Sequence, residues 1–109
     1  MDYIIVLVTT HTLKVATHIA TSLVKKRIAA CTNIVSNIQS VFRWEGKIQK
    51  EKEHLLIIKS RKMLLEKLIK TVKGMHSYKI PEIIAKEIID GNKDFLDWIK
   101  SSVKVVGRN

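Results

Sequence analysis

The chain has 109 residues, 46% of them hydrophobic, and carries a formal net charge of +10. That length predicts one domain, residues 1–109. The sequence contains no apolar stretch near the roughly 20 residues of a membrane span and no signal peptide, and its lone Cys31 cannot form an internal disulfide. These features predict a soluble cytoplasmic protein without a membrane partner.

The first half of the chain alternates between strand and helix patterns. Tyr3–Thr10 is a short run rich in Ile and Val, which predicts a central strand. Thr12 can cap the following segment, whose apolar residues recur at helical spacing from Leu13 to Lys26. Ala29–Val35 then predicts a second strand.

The middle of the chain predicts a hairpin followed by a helix. Val41–Trp44 and Ile48–Lys59 read as strands joined by the glycine-containing turn Glu45-Gly46-Lys47. Ser60 is a suitable cap for the next helix, and Gly74 is placed to end it. The apolar face of that helix consists of Leu65, Leu68, Ile69 and Val72.

Pro81 is the only proline, and proline is tolerated at the first position of a strand, so a strand is predicted from Glu82 to about Ile89. Asn92 should cap a short helix from Phe95 to Lys100. Val103–Asn109 fits either an edge strand or a frayed end.

The predicted order is β-α-β-β-α-β with an extra C-terminal helix, which is the ferredoxin-like pattern of an α+β domain with an antiparallel sheet. Apolar residues run through Ile4–Val8 and Leu55–Ile58 with little alternation, which is typical of strands buried on both faces. Two helices cover only one face of the sheet. We therefore expect the other face to be covered by self-association.

Three segments, Arg27–Ile34, Trp44–Ile48 and His76–Ile84, resemble the CutA family of divalent-cation tolerance proteins in their order and separation. The resemblance covers roughly Tyr3 to Val103, which implies a domain core from about residue 3 to residue 103 and a short C-terminal tail. It implies a homotrimer with a non-catalytic role in the response to divalent metal ions. The chain has no phosphate loop, nucleophile elbow or paired metal-ligand spacing, which also argues against an enzyme.

The resemblance implies a weakly bound divalent cation, with copper favoured, and no required cofactor. The candidate metal ligands are Cys31, His76 and Glu82, although a free cysteine such as Cys31 is more often a small buried hydrophobic residue. Ser77 and Lys79 depart from the family pattern beside His76 and weaken the predicted site. Further candidates for a cleft between subunits are Tyr78, Pro81, Lys59, Trp44 and Glu45.

Two alternatives start from the positive charge. A trimer related to PII-type signalling proteins would sense a small anionic ligand between subunits through Lys59, Lys79 and Arg43. RNA binding follows from fold and charge alone, but the chain lacks the aromatic pattern that stacks bases. The charge comes from 16 scattered lysines and only 4 arginines, which predicts no specific nucleic-acid partner.

Overall fold

The computed structural model describes residues 2–105, which form one mixed α/β unit. The strands are β1 (Tyr3–Thr10), β2 (Cys31–Trp44), β3 (Lys47–Arg61) and β4 (Ile83–Glu87). The helices are α1 (Leu13–Lys25), α2 (Leu65–Met75) and α3 (Lys93–Ser102), with a single 3-10 turn at Lys62–Leu64 before α2. No helix within residues 2–105 has the length and hydropathy needed to cross a bilayer.

The four strands form one antiparallel sheet in the order β2-β3-β1-β4. The first strand of the sequence is thus central, and each helix connection returns the chain to a strand on the far side of a neighbour. This confirms the predicted ferredoxin-like α+β fold with an additional C-terminal helix.

The hydrophobic core lies between one face of the sheet and helices α1 and α2. Successive strand residues point to opposite faces, so alternate residues of β1 and β3 reach this core. All of its central side chains are at most 2% exposed, and they include Ile4, Val6, Val8, Leu56, Ile58, Ile19, Leu23, Leu68 and Val72. Helix α3 packs separately, in a second cluster with Tyr3, Leu64 and Val103.

The opposite face of the sheet, which we call the open face, carries the other half of the apolar strand residues. Ile5, Leu7 and Ile57 are half-buried there, while Val35 and Ile84 are 43% and 56% exposed. Ile57 pairs with Leu7 in the adjacent strand, and Leu7 pairs with Ile84, so these side chains form a continuous apolar band. The apolar character of both faces of these strands is therefore present in the structure.

Strand β2 is one element of 14 residues, where the sequence predicted two separate strands. Its pairing with β3 shifts between Val35 and Ile38, and Asn37 has a positive φ of 59°. This irregularity is a β-bulge, which places an extra residue in one strand while pairing resumes beyond it. The polar Ser36-Asn37 pair interrupts the apolar strand pattern of the sequence. In the structure this interruption is a bulge within one continuous strand, not a loop between two strands.

Ser60 does not cap a helix, in contrast to the prediction. It is fully buried in β3 opposite Ile4, and its hydroxyl donates a 2.6 Å hydrogen bond to the Ile28 carbonyl oxygen. Strand pairing extends β3 to Arg61, so the 3-10 turn begins at Lys62, one residue later than a Ser60 cap predicts, and α2 begins at Leu65.

Two other boundaries differ from the prediction. Helix α2 continues through Gly74 to Met75, and β4 is limited to Ile83–Glu87, the residues that pair with β1 in the sheet. The predicted Asn92 cap is confirmed, since its side chain accepts a 3.0 Å hydrogen bond from the Asp94 amide. The two possibilities for the chain end concern residues 106–109 as well, which lie outside the described residues.

Candidate functional site

Strands β2 and β3 extend well beyond the rest of the sheet. The pairing of β1 with β3 ends at Thr10 and His54, whereas β2 and β3 stay paired from Ile38–Glu53 to Trp44–Lys47. We call residues 38–53 the extended hairpin. Its two-residue tip, Glu45 and Gly46, has positive φ angles of 50° and 80°, as in a type I′ turn.

One face of the extended hairpin and the loop from α2 to β4 line a cavity of about 910 Å³ that is open to solvent, which we call the hairpin cavity. Side chains that alternate along each strand share this face, because a strand has a two-residue repeat. The hairpin contributes Ser40, Phe42 and Trp44 from β2 and Gln49, Glu51 and Glu53 from β3. The loop and the end of β1 contribute Thr9, His11, Ser77, Tyr78, Lys79, Ile80 and Glu82, and Val41 completes the wall.

Glu53 and Tyr78 form a hydrogen bond at the wall of the cavity. Glu53 is only 5% exposed, and its Oε2 accepts a 2.7 Å hydrogen bond from the Tyr78 hydroxyl. Burial raises the pKa of Tyr78, and the hydrogen bond and negative charge of Glu53 raise it further. Tyr78 is therefore a neutral hydrogen-bond donor at physiological pH. Within residues 2–105, no cationic side chain lies within ion-pair distance of Glu53.

His76 positions the loop that carries Tyr78. Its Nε2 lies 2.7 Å from the Thr9 carbonyl oxygen, and its Nδ1 accepts a 3.0 Å hydrogen bond from the Tyr78 amide. A carbonyl can only accept, so the ring is the neutral tautomer with the proton on Nε2. Both nitrogens are thus engaged within the chain. Metal coordination by His76 requires one of these hydrogen bonds to break.

Cys31 lies elsewhere on the sheet. It is half-buried on the open face, where it pairs with Lys59, and its Sγ is 3.8 Å from the Asn33 Oδ1. Lys59 donates a hydrogen bond to the same Asn33 oxygen. Cys31 is therefore not part of the hydrophobic core of the subunit, which was the alternative to a ligand.

The three predicted metal ligands do not meet within one chain. His76 contacts Thr9, which pairs with Leu55 of β3, whereas Cys31 pairs with Lys59 of the same strand. Leu55 and Lys59 are four residues apart, which is about 13 Å along a strand. Glu82 lines the hairpin cavity, and Cys31 is not among the residues that line it. Among residues 2–105, no three His, Cys, Asp or Glu side chains are grouped to hold a metal ion. A site with all three ligands thus needs more than one subunit.

The cleft residues predicted from sequence are only partly brought together. Trp44 and Tyr78 line the hairpin cavity, and Glu45 lies at the hairpin tip. Pro81 is half-buried in the loop beside the cavity, and Lys59 lies on the open face.

The cations of the anion-sensing alternative do not converge within one chain. Lys59 is bound to Asn33, and Lys79 lines a cavity that also contains Glu51, Glu53 and Glu82. Arg43 is the neighbour of Phe42 on β2, so it points away from the cavity. This arrangement does not favour a small anion as the ligand of the cavity.

Sequence reasoning missed Glu53 and Phe42. Glu53 belongs to a stretch with alternating charges, which is typical of a solvated strand. A signal for the cavity was present in the two-residue spacing of Gln49, Glu51 and Glu53 opposite Ser40, Phe42 and Trp44. Their enclosure depends on the loop at Tyr78, which the spacing cannot predict.

Comparisons with known proteins agree with this architecture. The sequence model described as "CutA1 divalent ion tolerance protein" matches residues 4–102. The chain is 45% identical over 101 residues to the chloroplastic protein CutA of Arabidopsis thaliana, across 93% of this chain and 56% of that protein. It is 41% identical over 98 residues to the divalent-cation tolerance protein CutA of Thermus thermophilus, across 90% of this chain and 95% of that protein. The chain thus spans just over half the length of the plant relative and nearly all of the bacterial one.

Solved structures show the same fold. The structure of the divalent cation tolerance protein Cut A1 from Thermus thermophilus superposes with a TM-score of 0.92 at 39% identity, covering 94% of this chain and 99% of that one. The crystal structure of CutA1 from Oryza sativa superposes with a TM-score of 0.92 at 43% identity, covering 95% of each chain.

Proposed function

The chain belongs to the CutA1 divalent ion tolerance family, and from this premise we propose that it is a non-catalytic homotrimer that binds copper weakly. The observation that carries the proposal is the position of Cys31 on the apolar open face. Cys31, whose thiolate is the softest ligand of the three candidates, thus lies on the open face that another subunit would cover. The proposed site of action is the cytoplasm, although the Arabidopsis relative is named chloroplastic.

The open face supports assembly. Its apolar band contains the half-buried Leu7 and Ile57 and the exposed Val35 and Ile84. Such contiguous apolar surface is a common mark of a protein interface. A trimer is the assembly that the family resemblance implies.

Thiolate is a soft ligand that suits copper(I), so Cys31 is the leading candidate among the three predicted ligands. His76 and Glu82 would complete the site from another subunit. The two hydrogen bonds of His76 oppose its participation, and Lys79 adds a positive charge beside Glu82 in the same cavity. These features account for weak binding. The same engagement of both His76 nitrogens argues against a role as a catalytic base.

A copper titration tests this assignment. Copper(I) would be titrated anaerobically against a competing chelator, using tag-free wild-type protein and the variants Cys31→Ala, His76→Ala and Glu82→Gln. His18→Ala serves as the control because His18 is exposed on α1, away from these residues. We expect Cys31→Ala to weaken binding most. Equal affinity in wild type and Cys31→Ala would contradict the site.

A further inference from the structure

We propose that Lys26, Lys67 and Lys104 together bind a small anion that carries phosphate groups. We call these three residues the lysine cluster. They lie at the end of α1, in the first turn of α2 and in the segment after α3, on the helix side of the sheet. The open face with Cys31 is on the opposite side, so this site goes beyond the proposed copper binding and does not depend on it.

The segment after α3 places Lys104 between the end of α1 and the start of α2. The Lys104 amide donates a 2.9 Å hydrogen bond to the carbonyl oxygen of Arg27, the residue directly after the C-cap of α1. The preceding residue, Val103, is buried in the same cluster as Leu64, the N-cap of α2. Lys67 lies in the first turn of that helix. The fold therefore brings together lysines that are about 40 residues apart in sequence.

The ammonium groups of the lysine cluster are close enough to repel one another. Lys67 lies within hydrogen-bond reach of Lys104 and lowers the pKa of Lys104, and partial burial and the charge of Lys26 lower it further. The cause is general, since a neighbouring like charge disfavours the charged form of a group. Lys26 and Lys67 are exposed and Lys104 is half-buried, so a ligand can reach all three from solvent.

The helix side of the sheet offers almost no carboxylate to offset this charge. Residues 3–44, which include α1, contain no Asp or Glu, and α2 contains only Glu66. Within residues 2–105, no carboxylate lies within ion-pair distance of the lysine cluster. The positive charge of the cluster is thus left uncompensated in this part of the chain, and a bound anion would supply the missing partner.

A purely structural role accounts for the neighbouring Arg27 but not for the whole cluster. The Arg27 guanidinium donates hydrogen bonds of 2.9 and 3.2 Å to the last two carbonyl oxygens of α3. A cation at the C-terminal end of a helix is favourable, which explains Lys26 taken alone. Neither reason applies to Lys67 and Lys104, whose side chains have no acceptor among the described residues.

Phosphate suits three converging ammonium groups better than a carboxylate does. A phosphate group presents three strong acceptor oxygens on one phosphorus atom and carries about two negative charges at neutral pH. Lysine is a frequent phosphate ligand, where it acts as a point charge with three donors. A carboxylate has only two oxygens, which lie in one plane. A small phosphate-bearing anion therefore fits both the charge and the number of donors in the lysine cluster.

A titration with pyrophosphate tests the site by nuclear magnetic resonance. Sodium pyrophosphate would be added to metal-free, uniformly 15N-labelled protein at constant ionic strength, while the amide signals are monitored. Malonate is the matched probe, because it is a small dianion whose charges lie on carboxylates. We expect pyrophosphate to shift the amides of residues 25–27, 65–67 and 103–105, and malonate to bind more weakly.

Variants assign the binding to the lysine cluster. Lys67→Gln and Lys104→Gln should each weaken pyrophosphate binding by about tenfold, the factor that corresponds to one charge-assisted hydrogen bond. Lys14→Gln is the control, because it removes the same charge from an exposed position at the start of α1, at the opposite end of that helix from Lys26. This control should leave the affinity nearly unchanged.

Thermal unfolding provides an independent measurement. A ligand that binds only the folded protein stabilises it, so pyrophosphate should raise the unfolding temperature of wild type more than sodium chloride does at equal ionic strength. Lys104→Gln should lose most of this increase, and Lys14→Gln should keep it.

Three results would overturn the proposal. The first is equal pyrophosphate affinity in wild type, Lys67→Gln and Lys104→Gln, and the second is equal binding of malonate. The third is a set of shifts spread over the lysines of both helices without preference for the lysine cluster, which would indicate diffuse attraction to a basic surface. Cys31→Ala should bind pyrophosphate normally, so failure of the copper assignment and failure of this proposal are distinguishable.

Discussion

The three residues His76, Tyr78 and Glu53 form a chain of contacts that links α2, the following loop and the extended hairpin. Thr9 and the Tyr78 amide fix the His76 ring, and the rings of His76 and Tyr78 lie 4.8 Å apart. Tyr78 in turn reaches 25 residues back along the chain to Glu53. A histidine that sequence suggests as a metal ligand thus has a structural function within the subunit.

The Tyr78 phenol should make stability depend on alkaline pH. Its pKa is raised in the folded protein by burial and by Glu53, while in the unfolded chain it titrates near its ordinary value of about 10. This contribution is fully present below pH 10 and is lost as pH rises above that value toward the folded pKa. We expect the free energy of unfolding to fall more steeply above about pH 10 in wild type than in Tyr78→Phe.

Urea unfolding from pH 8 to pH 11 would measure this difference. Wild type and Tyr78→Phe share Tyr3 and every lysine, so their common titrations cancel in the comparison. Parallel stability profiles over this range would contradict the structural role of the Tyr78–Glu53 hydrogen bond.

The extended hairpin is the element that creates the candidate site, and two local conformations define it. The bulge at Asn37 lets β2 remain paired after the end of the sheet, and the turn at Glu45 and Gly46 sets the register of the two strands. Asparagine and glycine tolerate positive φ, but glutamate does not favour it. Glu45 is therefore the strained position of the hairpin.

Replacement of Glu45 by Asn should stabilise the protein. Asn-Gly is the preferred pair for a type I′ turn, and a left-handed conformation costs most residues roughly 1–2 kcal/mol. We expect Glu45→Asn to raise the free energy of unfolding by up to about 1 kcal/mol, as measured by urea unfolding. Glu45→Ala is the matched control and should give no gain. An equal gain from Ala would show that removal of the charge, and not the backbone preference, is responsible.

On the scale of the whole molecule, the helices and the open face divide the sheet into two unlike surfaces. Helices α1 and α2 bury Val6, Leu56 and Ile58 completely, while Leu7 and Ile57 on the reverse side are only half-buried. The two faces differ in burial because α1 and α2 both pack on the same face of the sheet and leave the other face without a covering helix. Another subunit can supply the missing cover, which supports the proposed homotrimer.

Replacement of Ile57 by Asp should disrupt assembly, because an unpaired charge in a buried interface is strongly unfavourable. Sedimentation velocity at micromolar concentration should find a trimer for wild type and dissociated subunits for Ile57→Asp. Thr21→Asp is the control, since Thr21 is exposed on α1 at the opposite side of the sheet. A stable wild-type monomer at this concentration would contradict the trimer.

The sequence by itself determined the element order and hence the fold, because each segment carries its own periodicity. Tyr3–Thr10 is predicted and observed as β1, and the Leu13 start and Asn92 cap of two helices follow from local side-chain chemistry. The tertiary structure alone decided which distant residues meet. Ser60 lies in β3 and donates a hydrogen bond to Ile28, and Glu53 is covered by the loop that carries Tyr78. Cys31 and Thr9 pair with β3 residues that are four positions apart, Lys59 and Leu55. These relations depend on strand register and loop closure between residues far apart in the chain, whereas hydrophobic periodicity reports only which face of an element each residue occupies.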